Sequence, residues 1–508
     1  MTDMTIPVYD WIAHNAILYP DKLAMVDLGS GRQFSYGQFV GRARQLAGYL
    51  GHELGLVKGD CLAVLSQNTT DIFELQFACL RLGVTLVPLN WRLAWPELAY
   101  ILTEVAPRVL FYDPVFSDVA RAAAATAGIS LLLTMNYGAE SDYETGLSGA
   151  VAATDDIATG PYDPWVILYT SGTTGRPKGV IITYEMMVFN VLSVSDPLGI
   201  TPQSKGVTFL PTFHIGGFTS YANSLFFAGA ATYVQKGFNA ADFFALHASK
   251  EIGITHSGGV PTQLHMMSEE PGFAAADLTH IKIMAVGGAA VPNSLIKNYA
   301  KKGVGLNNAW GMTELAGMVT ILQTRDTASH IGSCGQKVMF SELRLVDRAG
   351  RDVPLGEVGQ IYVKGPMVTP GYWKNPAATA DTFDDGWFKT GDAAICDKFG
   401  YFTIVDRWKD MFISGGENVY PAEVENAMQL MPCISAVAVI GIPHKKWGEV
   451  GRAFVVLGAE YEYISVEEII SHCRTQLAKY KIPVEVRIVQ DLPRNASGKI
   501  MKSLLPRG

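Results

Sequence analysis

Cys61-Leu-Ala-Val-Leu-Ser-Gln-Asn68, followed by Thr70-Asp-Ile-Phe-Glu-Leu-Gln-Phe-Ala-Cys-Leu-Arg-Leu82, Gly83 and Val84-Thr-Leu-Val-Pro-Leu89, carries the reading from which the fold class follows. Cys61–Asn68 predicts a strand, Thr70–Leu82 a helix closed by Gly83, and Val84–Leu89 a second strand. A strand, a helix and a strand at this spacing form a βαβ unit. Such a unit needs a crossover connection and builds a parallel sheet with helices on its faces.

Working outward, the same α/β alternation continues to about Thr320, interrupted at Gly138–Asp163 by a Gly-, Ala-, Ser- and Asp-rich stretch that reads as a surface connection. The pattern then changes. Ser341–Val346, Gly359–Val363 and Tyr401–Val405 read as short strands, with turns at Ala349-Gly350 and Phe399-Gly400. They predict a β-rich subdomain over about 330–405. Beyond Lys409, strands are expected at Ser435–Ile442 and Arg452–Leu457. Val466, Ile469, Ile470, Cys473 and Leu477 fall on one helical face, behind a Ser465/Glu468 pair at capping-box spacing. The expected fold class is therefore α/β: a large N-terminal domain over 1–408, with stacked mixed sheets, helices and the β-rich subdomain, then a small mobile α+β domain over 409–508. The chain shows no internal repeats.

Composition narrows the function classes. The chain has 508 residues, 48% hydrophobic and 17% charged, which suits several buried cores. A net charge of -8 offers no footprint for nucleic acid or an anionic membrane, so neither is expected as a partner. Gly206–Gln235 lacks Asp, Glu, Lys and Arg. Pro211, His214, Gly216, Gly217, Ser220, Asn223 and Ser224 interrupt it, so it reads as core and pocket wall rather than a membrane span. Asp3 and Asp10 lie in an N-terminal stretch with no Lys or Arg before Lys22, which argues against a secretory signal. The six cysteines, Cys61, Cys79, Cys334, Cys396, Cys433 and Cys473, form no Cys-x-x-Cys pair and read as reduced thiols. A cytoplasmic protein is expected.

The strongest chemical signal is Tyr169-Thr-Ser-Gly-Thr-Thr-Gly-Arg-Pro-Lys-Gly179, after the apolar run Trp165–Leu168. Four aliphatic hydroxyls, three glycines and a lysine fall within these eleven residues. Glycines let the backbone approach a phosphate, hydroxyls and N–H groups donate to it, and Lys178 adds charge. It is not a Walker A loop, because Lys178 stands between Pro177 and Gly179.

This segment resembles the phosphate-loop signature of the adenylate-forming superfamily, which includes acyl-CoA synthetases, aryl-CoA ligases, firefly luciferase and peptide-synthetase adenylation domains. Further family signatures occur in the family's order: Pro211-Thr-Phe-His-Ile-Gly-Gly217, Ala309-Trp-Gly-Met-Thr-Glu314, Phe388-Lys-Thr-Gly-Asp392, Asp406-Arg-Trp-Lys-Asp410, Ile413-Ser-Gly-Gly-Glu-Asn-Val-Tyr-Pro421 and Pro493-Arg-Asn-Ala-Ser-Gly-Lys499. The resemblance covers nearly the whole chain.

The resemblance implies an AMP-forming acyl-CoA synthetase that uses ATP, Mg²⁺ and coenzyme A on a small-molecule carboxylic acid, with an active site between the domains. It gives Thr170, Ser171, Gly172, Thr173, Thr174, Gly175 and Lys178 the β- and γ-phosphates, and Thr313 the α-phosphate. Glu314 is implied as the metal ligand, since a hard cation takes oxygen donors. Trp310 is implied to stack on adenine, with Gly288, Ala289 and Ala290 opposite and Asn308, Ala309, Gly311 and Met312 completing the nucleotide site. Asp392 is implied to accept from the ribose hydroxyls, with Arg407 supporting ribose or phosphates.

Lys499 matches the lysine that bridges the attacking carboxylate and the α-phosphate, and Lys409 matches the hinge. Ser414, Gly415 and Gly416 are implied to flank the pantetheine arm, and Lys445 or Lys446 to meet coenzyme A phosphates. The pattern Pro443-His-Lys-Lys-Trp-Gly-Glu449 carries His444 where relatives usually have Asp. His214 corresponds to a gate near the carboxylate and thiol path. Phe213, Phe218, Ser257, Gly258, Gly259, Val260, Ala285, Val286, Gly287 and Met312 are implied to line the acyl site. That apolar, glycine-rich wall suits a bulky hydrophobic acid, either a medium- or long-chain fatty acid or an aryl or hydroxycinnamic acid such as 4-coumarate or ferulate. Three alternatives stay open: a module that loads a carrier protein, a luciferase-like oxygenase, and a non-catalytic nucleotide-binding regulator. A homodimer rests on analogy alone.

Overall fold

The βαβ unit forms as its sequence predicts. In the computed structural model, which describes residues 6–135, 140–154, 156–170, 177–288, 291–414, 417–461, 463–494 and 500–507, Cys61–Leu65 and Thr85–Pro88 are parallel strands flanking the helix Thr70–Leu82. Thr69 caps that helix from its side chain, and Gly83 ends it in the left-handed conformation, with φ +70°. The first strand stops at Leu65 because Ser66 and Asn68 turn away to make side-chain hydrogen bonds.

By compactness the chain divides into two units, 1–342 with 364–388, and 343–363 with 389–508. The 408/409 boundary expected from the sequence concerns motion about Lys409, and it stays a proposal. The segments 343–363 and 389–408 count with the second unit because their strands pair with one another.

The first unit holds two sheets. Six strands run in the order Leu132–Thr134, Val109–Tyr112, Cys61–Leu65, Thr85–Pro88, Pro164–Thr170 and Lys178–Thr183. All are parallel except the last, which folds back on its neighbour. The second sheet has nine strands, with a parallel centre of Leu306–Met312, Ile283–Val286, His256–Gly259, Lys205–Thr208, Ala231–Val234 and Leu23–Asp27. The strands of that parallel centre are largely buried on both faces, and some, such as Ile283–Val286, read as short apolar runs without alternation. Aromatic residues fill the core around the first helices: Trp11, Phe77 and Trp165 meet edge to face at centroid distances of 5.4–5.8 Å.

One expectation needs amendment here, and a second holds. The Gly138–Asp163 connection contains a helix, Asp142–Gly149, capped by Ser141, with Tyr143 buried beneath it. The uncharged stretch 206–235 becomes strands and short helical turns, and among the described residues no helix is long and apolar enough to cross a membrane.

The second unit joins two sheets. Glu342–Val346, Val358–Lys364, Trp387–Cys396 and Phe402–Arg407 belong to one. The other contains the hairpin Ile434–His444 and Gly448–Leu457, with Phe412–Ser414, Glu417–Val419 and Glu485–Ile488 alongside. Pro421–Met428 and Val466–Gln476 are its helices, the latter with the full Ser465/Glu468 capping box. A large α/β N-terminal part and a smaller C-terminal part match the expected fold class.

Candidate active site

Two antiparallel strands, Pro164–Thr170 and Lys178–Thr183, flank the phosphate-loop signature, and Thr170 and Lys178 are their last register partners in the six-stranded sheet. Ser171, Gly172, Thr173, Thr174 and Gly175 lie outside the described residues. Lys178 does not point away from the fold: its Nζ stands 5.1 Å from the centre of the Tyr372 ring. Gly179 is required by the packing, because a Cβ there would come within 3.0 Å of both Ile167 and Tyr169 side-chain atoms.

A second strand pair presents Thr313 and Glu314. Leu306–Met312 and Gly317–Ile321 pair antiparallel, and Thr313–Leu315 forms a single 3₁₀ turn at their tip. Gly311 lets the strands close, since a Cβ there would lie 1.8 Å from the Gly317 carbonyl oxygen. Ala316 completes the turn at φ +55°, a conformation that costs a non-glycine residue about 1 kcal/mol. The Glu314 side chain is buried, and its Oε1 accepts from the Tyr372 hydroxyl at 2.9 Å.

Residues 369–373 bind the two strand pairs together. Thr369 N–H donates to the Glu314 carbonyl at 2.8 Å, and Thr369 Oγ1 donates to the Ile181 carbonyl at 2.7 Å. Trp373 N–H donates to the Gly179 carbonyl at 2.7 Å, and Tyr372 bridges Val180. Tyr372 and Thr369 were not foreseen. No periodicity or charge pattern marks them, and Tyr372 meets a partner 58 residues away.

The proposed nucleotide wall lies at the carboxyl ends of adjacent parallel strands, where α/β sheets commonly hold ligands. Val286 pairs with Asn308 across two of these strands. Gly287 passes so close to the next strand that a Cβ would meet the Ala309 carbonyl oxygen at 2.7 Å, and Gly288 turns at φ +77°. Trp310 is largely buried beside them, Met312 half-buried, and Asn308 uses its amide to donate to the Ser333 carbonyl at 2.8 Å. Ala289 and Ala290 lie outside the described residues.

The acyl residues divide into two groups. Gly258, Tyr221, Phe209, Gly216 and Gly217 surround one small void. A Cβ on Gly258 would fall 2.4 Å from the Ala285 carbonyl and 2.8 Å from the Tyr221 hydroxyl oxygen, which itself donates to the Ser257 carbonyl at 2.7 Å. Phe218, Ser257 and Val286 are instead embedded. Phe218 stacks on Phe73 at 6.0 Å, and Val286 joins the core that contains Phe209. Gly259 and Val260 continue from the same strand into the next helix, and Phe213 packs against Trp91 at 6.3 Å.

His214 sits beyond the strand Lys205–Thr208, on a turn braced by Asn68. The Asn68 amide donates to the Leu210 carbonyl at 2.9 Å, and its oxygen accepts from Thr212 N–H at 2.9 Å. Gly217 permits the turn, since a Cβ would collide with Leu210 and Pro211 carbonyl oxygens at 2.2 and 2.4 Å. Burial, reinforced by the Arg92 charge, pushes His214 down to about 4, so the ring is neutral at pH 7. Its Nε2 is buried with no hydrogen-bond partner among the described residues.

In the second unit, Asp392 and Arg407 face each other across paired strands, with Arg407 Nη1 3.0 Å from Asp392 Oδ1. Lys409 is exposed in the turn that follows, where Asp410 N–H donates to the Arg407 carbonyl at 3.0 Å. Ser414 is buried and pairs with Glu417 and Gly448, while Gly415 and Gly416 lie outside the described residues. Lys445 and Lys446 are exposed. His444 does the work of a capping carboxylate: its Nδ1 accepts from Lys446 and Trp447 N–H groups, each at 3.2 Å. Lys499 also lies outside the described residues. Its flanks are fixed, because Arg494 bridges Ile500 and Met501 N–H donates to the Pro493 carbonyl at 2.7 Å.

The donor set suits magnesium. Among the described residues no group of three or more His, Cys, Asp or Glu side chains gathers to hold an ion, and Glu314 stands as a single oxygen donor beside a phosphate-loop lysine. Mg²⁺ is typically held by one or two carboxylates together with substrate phosphates.

Two family models match the chain: AMP-binding enzyme over residues 12–373 and AMP-binding enzyme C-terminal domain over residues 423–499. A feruloyl-CoA synthase from an Amycolatopsis species is 36% identical over 497 residues, covering 98% of both chains. A long-chain-fatty-acid–CoA ligase from Mycobacterium tuberculosis is 36% identical over 494 residues, covering 97% of both. The o-succinylbenzoate CoA synthetase of Bacillus subtilis, in complex with its acyl-adenylate intermediate, superposes with a TM-score of 0.86 at 29% identity, covering 97% of each chain. The chain belongs to the AMP-binding enzyme family, and within it to the adenylate-forming acyl-CoA synthetases.

Proposed function

We propose that this AMP-forming acyl-CoA ligase activates a bulky hydrophobic carboxylic acid, an aryl or arylpropenoic acid or a long-chain fatty acid. The observation that carries the reading is the meeting of Lys178 and Glu314 at one tyrosine, which joins a phosphate-loop lysine to a metal-binding carboxylate. Relatives named for ferulate and for long-chain fatty acids support the acid class.

The reaction has two steps. A carboxylate oxygen attacks the α-phosphorus of ATP, and the bond to pyrophosphate breaks. The coenzyme A sulfur then attacks the carbonyl carbon, the bond to AMP breaks, and the thiol proton is lost. Trp310 offers its face to adenine, Thr313 donates to the α-phosphate, and Asp392, with Arg407 beside it, accepts from the ribose hydroxyls. Glu314 would hold Mg²⁺, which when bound would neutralise triphosphate charge. Lys499 stabilises the charge that builds between carboxylate and α-phosphate, a contribution commonly worth about 10²–10³ in rate. Neutral His214, with Nε2 unengaged, can accept a proton or hydrogen bond on the acyl path. Ser414 and its neighbouring glycines flank the pantetheine arm, and Lys445 or Lys446 meets its phosphates.

The test is AMP and pyrophosphate release with acetate, octanoate, palmitate, benzoate, 4-coumarate and ferulate, each with and without coenzyme A. Coenzyme A-dependent turnover is expected with the aryl or the long-chain acids and not with acetate. Preferential use of acetate would overturn the acid class. Pyrophosphate release that coenzyme A leaves unchanged would point to a different acceptor.

A further inference from the structure

We infer that Tyr372 is a positioning residue for the adenylation step: one side chain sets both the phosphate-loop lysine and the metal-binding carboxylate. This rests on the proposed roles of Lys178 and Glu314. The phenol hydroxyl donates to Glu314 Oε1 at 2.9 Å, and the Lys178 Nζ lies 5.1 Å from the centre of the same ring.

Three features make the arrangement more than a surface contact. Tyr372 is held by backbone: it bridges Val180, and its N–H donates to Thr379 Oγ1 at 3.0 Å. The residues on either side clamp the two strand pairs independently, through Thr369 to Glu314 and through Trp373 to Gly179. The ring therefore cannot drift without moving both strand pairs. A hydrogen bond at one carboxylate oxygen fixes the plane of Glu314, and so the direction in which it offers a lone pair to a cation. The ring face attracts the ammonium by its quadrupole, which holds Lys178 at the same side chain that bonds the carboxylate.

Tyr372→Phe keeps the ring and removes the donor. Losing one such bond changes affinity by about tenfold. The apparent activation constant for Mg²⁺ in pyrophosphate release should rise by about that factor, with the KM for the acid unchanged. Mn²⁺ binding in the presence of α,β-methylene ATP, followed by electron paramagnetic resonance, should weaken to the same extent. Thioester formation from supplied acyl-adenylate should not change, because that step needs neither metal nor triphosphate.

A double-mutant cycle separates positioning from a structural role. In a Glu314→Gln background, Tyr372→Phe should alter Mn²⁺ binding by less than about twofold. An unchanged metal constant in Tyr372→Phe, or an equal loss with and without Glu314, would overturn the inference while leaving the reaction assignment intact. Absence of metal-dependent adenylate formation in the unaltered enzyme would overturn the assignment itself.

Discussion

At the scale of single residues, neutral buried imidazoles shape both chemistry and stability. His214 gains an unengaged ring nitrogen by this means, and His247 has only a fold to maintain. His247 is fully buried, its Nδ1 bonded to the Phe243 carbonyl at 2.6 Å, and burial pushes it down to about 4. The folded ring therefore stays neutral where the unfolded ring, ionising near pH 6.5, takes up a proton. Its contribution to stability is complete above about pH 6.5 and is lost as pH falls towards 4, by about 3 kcal/mol. Replacing His247 by Leu should flatten the stability profile by that amount between pH 7 and 4, as read from urea unfolding. An unchanged slope would show that the ring does not stay neutral in the fold. Single residues were also where the sequence was least informative. Glu314 and Lys178 stood inside recognisable motifs, but Tyr372 and Asn68, which brace the strands and turns that present the candidate residues, act through contacts that only the tertiary fold creates.

At the scale of elements, the site is carried by hairpin tips and strand ends rather than by helices. Close packing shapes these places: a Cβ on Gly311 or Gly217 would run into backbone, and one on Gly179 would crowd the Ile167 and Tyr169 side chains. Apolar runs and turn residues predicted the strands well, because buried parallel strands advertise themselves by composition. The helix Asp142–Gly149 was hidden, since its Gly- and Ser-containing sequence lacks a clear apolar face. The proposed hinge belongs to this scale too. Lys409 is exposed in the turn after Phe402–Arg407, and just before it Asp406 accepts from Ala422 N–H at 2.7 Å. Domain rotation would require the turn to change its backbone angles. Lys409→Pro, with φ fixed near −65°, should slow thioester formation from supplied adenylate at least about tenfold and spare pyrophosphate release. Equal effects on both half-reactions, measured by rapid quench, would remove the hinge.

At the scale of the molecule, the chain divides its chemistry between its two units. The first carries Lys178, Glu314 and the residues proposed for the acyl wall. The second carries Asp392, Arg407, the glycines proposed for pantetheine, and Lys499. The family, the reaction class and the overall fold were legible from ordered motifs along nearly the whole chain. The grouping of 343–363 with 389–408 was not, because strand pairing between distant segments leaves no local trace. The central claim is that a carboxylate attacks the α-phosphorus and AMP leaves from the resulting anhydride. Turnover of a carboxyl-¹⁸O-labelled acid with ATP and coenzyme A, followed by mass spectrometry of the products, tests it directly. One labelled oxygen is predicted in each AMP and none in pyrophosphate. Label in inorganic phosphate or pyrophosphate, with AMP unlabelled, would contradict the adenylate mechanism.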